Sequence, residues 1–230
     1  MYLNKEADLV YLDEFAPSLI ISPRYATCEN LVGTPLDGYE APRVAIKKPV
    51  AEALLKVDNY LETQGYKLAI YDGYRPTRAV RRFISWQKSP SENLVQKMKY
   101  YPTISKRDLF KLGYLSLDSV HCKGYAVDLT LIKVGDKLRE PALRERILTD
   151  GRKISLMDDG TVDMGTSFDF MSEASRVDSP LLGEKCLENR NILKNAMLTH
   201  RFAPYPTEWW HYNYLDQTTF CSYDLPISSR

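Results

Sequence analysis

The sequence predicts an α+β fold, a mostly antiparallel central sheet flanked by helices, within a single domain spanning residues 1–230. Three observations carry that expectation. Val50, Ala53, Leu54, Val57 and Leu61 recur at helical spacing, whereas residues 125–134 alternate with the period of a strand. Helical and extended segments are intermixed without a regular βαβ rhythm. No internal repeat, low-complexity run or Gly/Ser linker divides the chain.

The first 45 residues are turn-rich, with 32–38 (Val-Gly-Thr-Pro-Leu-Asp-Gly) as the clearest loop. A helix is expected over 49–64, since Pro49 suits its first turn and Gly65 its end. Residues 67–71 read as a strand leading into Asp72-Gly-Tyr-Arg75-Pro76. Pro76 opens the next helix, 77–88, and keeps Arg75 out of helical geometry. On the strand at 125–134, Val127, Leu129 and Leu131 point one way, and Ala126, Asp128 and Thr130 the other. The charged, glycine-dotted stretch 135–165 is expected to be an insertion or lid with a short helix near 141–148. A long helix over 181–200 and an aromatic-rich strand over 208–215 complete the chain.

Charge is nearly balanced, 31 basic against 30 acidic residues, and 44% of residues are hydrophobic. That composition disfavours disorder and a nucleic-acid partner. No stretch approaches the roughly 18 apolar residues of a membrane span, so no membrane partner is expected. The amino terminus shows no signal peptide, and the four cysteines (Cys28, Cys122, Cys186, Cys221) form no Cys-x-x-Cys pair. A cytoplasmic protein with free thiols is the expectation; homo-oligomerisation stays open.

Chemistry concentrates in two phrases, Ser119-Val-His121-Cys-Lys-Gly124-Tyr-Ala-Val-Asp128 and Glu208-Trp-Trp-His211, which hold two of the three histidines. His121, Asp128 and His211 offer two imidazoles and a carboxylate, the ligand set of an open catalytic Zn²⁺ site on one face of the sheet. Glu208 is left over where a general base would stand. His200, near a helix end, suits capping rather than ligation. Donors to one zinc must lie about 3–4 Å apart. Seven extended residues span about 23 Å, and a helix about 10 Å, so the chain must turn between His121 and Asp128, most cheaply at Lys123-Gly124. Glu208 and His211, three apart, would lie on opposite faces of a regular strand. A bend or bulge beginning near Pro206 is therefore expected. An oxyanion formed in the reaction would need a fixed positive partner, for which Arg75 is the candidate.

At these residues the chain resembles the zinc-dependent D-alanyl-D-alanine dipeptidases of the vancomycin-resistance type, in a clan with D,D-carboxypeptidases and the Hedgehog signalling domain. The resemblance rests on six ordered phrases: Tyr25-Ala-Thr, Asp37-Gly-Tyr39-Glu, Asp72-Gly-Tyr-Arg75-Pro76, Ser119 to Thr130, Met164-Gly-Thr-x-Phe-Asp169-Phe and Glu208-Trp-Trp-His211-Tyr. It implies one zinc per chain on His121, Asp128 and His211, Glu208 as base, and Arg75 stabilising the transition state. It also implies contacts to a small dipeptide substrate from Ser119, Asp169, Tyr25 and Tyr39. A carboxylate such as Asp169 can hold the ammonium group of a free dipeptide by a charge-assisted hydrogen bond. Between Asp128 and Met164 the chain is longer than in the compact resistance-type members, and Arg201-Phe202 replaces a frequent Gly-Phe. Two other readings are weighed: a carboxypeptidase or endopeptidase acting on peptidoglycan peptides, and a zinc-stabilised binding module without turnover. A serine hydrolase is disfavoured, because no Gly-x-Ser-x-Gly elbow exists.

Overall fold

The computed structural model describes residues 1–229. In chain order its elements are β1 (Tyr2–Asn4), β2 (Leu9–Tyr11), α1 (Leu12–Phe15), β3 (Ile20–Ile21), β4 (Ala45–Lys47), α2 (Lys48–Glu62), β5 (Tyr66–Asp72), α3 (Thr77–Lys88), α4 (Leu94–Tyr100), β6 (Ala126–Lys133), β7 (Ala142–Ile147), β8 (Lys153–Asp158), α5 (Glu184–Leu198), β9 (Phe202–Tyr205) and β10 (Glu208–Tyr214). The central sheet runs β3–β5–β6–β10–β9. Only β3 pairs in parallel, with β5; the other ladders are antiparallel. A small sheet of β1, β2 and β4 and the hairpin β7–β8 stand apart from it. The architecture is α+β with a mostly antiparallel central sheet, as the sequence predicts.

β6 lies in the middle of that sheet and is buried from Ala126 to Ile132. Val127, Leu129 and Leu131 share one buried cluster with Val50, Leu54, Val57 and Leu61 of α2. Removing this apolar surface from water is the main stabilising term. Alternation then turns Asp128 and Thr130 to the other face. The buried Asp58 ties α2 to β5, accepting the Leu68 amide at 2.9 Å and pairing with Lys67 at 2.7 Å.

Two irregularities shape the site face. Ile70 faces Leu129 and Asp72 faces Asp128, so β5 advances two residues while β6 advances one. That bulge brings Asp72 level with Asp128. β10 keeps regular register with β6, His211 opposite Asp128. Against β9, however, Glu208 faces Tyr205 and Tyr212 faces Pro204, so β10 advances four residues while β9 advances one.

The segment expected to be a helix near 141–148 is instead strand β7. Asp150-Gly151, with Gly151 at φ +85, reverses the chain and pairs β7 with β8. The long helix begins at Glu184 rather than 181. Helix α4 and edge strand β9 were not foreseen. After β10 the chain runs back as a strap: Tyr223 accepts from Thr77 N and donates to Cys122 O, and Ile227 N donates to Gly38 O.

Candidate active site

His121 sits in the 3-10 turn Val120–Lys123, which ends at Gly124 with φ +77. A Cβ at Gly124 would meet Leu9 Cδ2 at 2.8 Å, so both backbone angle and packing require glycine there. The chain then enters β6 and brings Asp128 back toward His121, the reversal that the spacing demands. His121 Nδ1 donates to the Gly73 carbonyl at 2.7 Å, and His211 Nε2 donates to Asn213 Oδ1 at 3.0 Å. Each ring is thereby fixed in the tautomer whose other nitrogen carries a lone pair.

Those two lone-pair nitrogens, His121 Nε2 and His211 Nδ1, face each other at 3.1 Å. Asp128 Oδ1 lies 3.1 Å from His211 Nδ1, and its Oδ2 lies 3.3 Å from His121 Nε2. Tetrahedral bonds of about 2 Å separate donor atoms by about 3.3 Å, so the triad has the spacing of ligands to one metal ion. Facing lone pairs repel unless a cation lies between them. The surrounding charge points the same way. Four buried carboxylates (Asp72, Asp128, Asp169 and Glu208) face the lone guanidinium of Arg75 among the described residues near the triad.

Burial pushes the Glu208 carboxyl well above its usual range, and the charge of Asp128 adds to that. Asp169 is raised for the same two reasons, against hydrogen bonding from Tyr25. Burial would raise Asp128 too, but the imidazoles of His121 and His211 outweigh it and hold it well below. The residues therefore fit a divalent cation.

Glu208 Oε2 is 3.9 Å from His211 Nδ1. The irregular β10–β9 ladder allows this, since residues three apart on a regular strand point oppositely. Arg75 is held by the Asp72 carboxylate through Nε at 3.0 Å and Nη2 at 2.9 Å, and Nη2 also lies 3.4 Å from Asp128. Its Nη1 makes no hydrogen bond to a carboxylate among the described residues. The guanidinium stacks over the Tyr25 ring at 4.7 Å.

These groups surround a cavity of about 200 Å³ lined by Tyr25, Arg75, Ser119, His121, Asp128, Asp169, Glu208 and His211. Tyr114, Leu115 and Tyr205 line it as well. Tyr25 donates to Asp169 Oδ2 at 2.8 Å, and Asp169 adopts φ +61, a left-handed conformation that Asp tolerates better than most. The Ser119 hydroxyl makes no side-chain hydrogen bond among the described residues.

Tyr39 stands elsewhere. It does not line the cavity, and its hydroxyl donates to Asp72 Oδ1 at 2.7 Å, behind Arg75. Nor does any residue of 135–165 line this cavity. Cys122 points away from it, with burial pushing its thiol up to about 11. Two contributors escaped the sequence reading. Asp72 stood there only as the first residue of the phrase Asp72-Gly-Tyr-Arg75-Pro76, with no catalytic or binding role given to it. Asn213 could have been found from its i+2 spacing to His211, which places both on one strand face.

Comparison with known proteins agrees over nearly the whole chain. The sequence model of the D-ala-D-ala dipeptidase family matches residues 5–139 and 151–229. A D-alanyl-D-alanine dipeptidase of Enterococcus faecium is 36% identical over 96% of this chain and 99% of its own. Proteins of that name from Enterococcus faecalis (35%, covering 92% and 94%) and Streptomyces coelicolor (32%, covering 96% and 98%) are also similar. With a match of that extent and a triad spaced for a metal ion, the chain belongs to the D-ala-D-ala dipeptidase family of metallopeptidases.

Proposed function

We propose that this peptidase hydrolyses the free dipeptide D-alanyl-D-alanine, with one zinc ion held by His121, Asp128 and His211. The observation that carries the reading is one small cavity lined by a metal-spaced triad, a spare buried carboxylate and a second carboxylate suited to an ammonium group. Its volume of about 200 Å³ lies below the roughly 300 Å³ at which pockets for drug-sized ligands begin, which suits a dipeptide better than a long chain. The names of the similar proteins supply the substrate.

When bound, the ion supplies Lewis acidity and lowers the pKa of water toward about 7. Glu208 takes the proton of the attacking water and delivers it to the leaving amine. Its raised affinity for protons, from burial beside Asp128, suits it to holding one between those two transfers. Arg75 directs the unpaired edge of its guanidinium at the oxyanion, with Asp72 fixing the opposite edge. Asp169 holds the substrate ammonium and Ser119 offers a hydroxyl to the other end. Tyr25 orients Asp169 through its hydroxyl and supports Arg75 with its ring.

The test uses zinc-loaded protein with D-Ala-D-Ala, L-Ala-L-Ala and acetylated D-Ala-D-Ala, beside Glu208→Ala. Free D-Ala-D-Ala should be cleaved and the acetylated form used poorly. Glu208→Ala should retain zinc while kcat falls by about 10²–10⁴. Rapid cleavage of the blocked peptide would favour a carboxypeptidase. Metal-bound wild type with no turnover of any peptide would favour a binding module.

A further inference from the structure

A second cavity, of about 380 Å³, lies beside the catalytic one and is walled by the β7–β8 hairpin. Phe168 stands between the two, its ring 4.7 Å from that of Tyr71 on one side and 5.7 Å from that of Trp210 on the other. Part of the wall falls in residues 140–150, the stretch outside the family match, and this includes Arg144 and Arg146 of β7.

The hydrogen-bonding capacity of this cavity is one-sided. Its principal acceptors are already engaged. Asp158 accepts from Arg139, Arg144 and Gly160 N, and Asp159 from Arg24, Tyr71 and Thr161. Asp163 pairs with Arg146, and Glu29 with Lys99. Donors are left over. Arg24 and Arg144 each spend one guanidinium nitrogen on protein, and the Nε of Arg146 is buried without a partner. Tyr100 is 1% exposed and lines the cavity, yet its hydroxyl has no partner either. A buried donor without an acceptor is costly, and an incoming oxygen would remove that cost. Met157, Val162 and Phe168 supply an apolar part of the remaining wall.

We infer that this cavity binds a small organic monocarboxylate, its oxygens taken by Arg24, Arg144 and the Tyr100 hydroxyl and its short apolar body resting on Phe168 and Met157. A monoanion fits where a dianion does not, because several carboxylates ring the same cavity. Glu145, the remaining carboxylate of the wall, is paired with Lys153, so each acid here already has a cationic partner and the ligand need not carry an ammonium group. The inference is independent of the reaction next door.

The experiment is calorimetric titration of the holoenzyme with propionate and, separately, with inorganic phosphate. Wild type should bind propionate saturably, and phosphate at least tenfold more weakly. Tyr100→Phe and Arg144→Gln should each weaken propionate at least fivefold, with D-Ala-D-Ala turnover and Tm unchanged as proof of intact fold. Propionate held at the catalytic centre instead would survive both substitutions, and that result overturns the proposal. So does the absence of saturable binding, or phosphate binding as tightly as propionate.

Discussion

Asp72 illustrates how a single side chain organises others without lining the cavity. It accepts both edge nitrogens of Arg75 and the hydroxyl of Tyr39, and it is level with Asp128 across the ladder. Removing one partner of a buried ion pair costs about 3–5 kcal/mol, because the other charge is stranded. Here Asp128 and the Tyr25 ring still face Arg75, so Asp72→Ala should fall at the lower end, about 3 kcal/mol by urea melts. Asp72→Asn keeps the shape but loosens the guanidinium. It should lower kcat by at least tenfold while zinc content is unchanged. A variant with wild-type kcat would remove Asp72 from the account of Arg75.

The elements differ in how plainly the sequence announced them. α2, β5 and β6 were legible because burial on one face enforces a period, and Val50 to Leu61 or Val127 to Leu131 display it. β7 was misread because Ala142, Leu143, Arg144 and Glu145 all have good helix propensity. Asp150-Gly151 was the overlooked signal, since such a pair favours hairpin turns. β9 was hidden by Pro204, which a strand tolerates at the sheet edge where β9 lies. The two phrases that carry the His121, Asp128 and His211 triad were legible because their chemistry is local. Tyr114, Leu115 and Tyr205 were not, since only tertiary folding brings these ordinary residues to the cavity wall. Just past the end of α5, Arg201 adopts φ +71, where the resemblance leads one to expect glycine. A side chain is strained there and glycine is not. Arg201→Gly gives up only an exposed pair with Asp216, so differential scanning calorimetry should show Tm raised by a few degrees. A lower Tm would mean that the pair outweighs the strain.

For the molecule as a whole, the returning strap closes the structure around α3. Asp224 accepts from the Arg78 amide at 2.8 Å and pairs with Arg78 and Arg81. Burial opposes ionisation, but the hydrogen bonds and charges of Arg78 and Arg81 together outweigh it and hold the carboxyl down to about 2. An unfolded Asp titrates near 3.9. The group therefore stabilises the fold fully above about pH 4 and loses that contribution as pH falls toward 2. Asp224→Asn should lower Tm at pH 7, modestly because the pair is partly exposed, and the gap from wild type should close between pH 4 and 2. A gap independent of pH would point to lost packing instead of charge.

Asp72, Asp128 and His211 stand on one rung across three adjacent strands. Sliding any of these strands by a single position would send its acid or imidazole through to the hydrocarbon side. For the gene this means that one extra codon within the stretch encoding β6 is as ruinous as a stop signal. The same codon added among the exposed residues 134–137 should leave an active product.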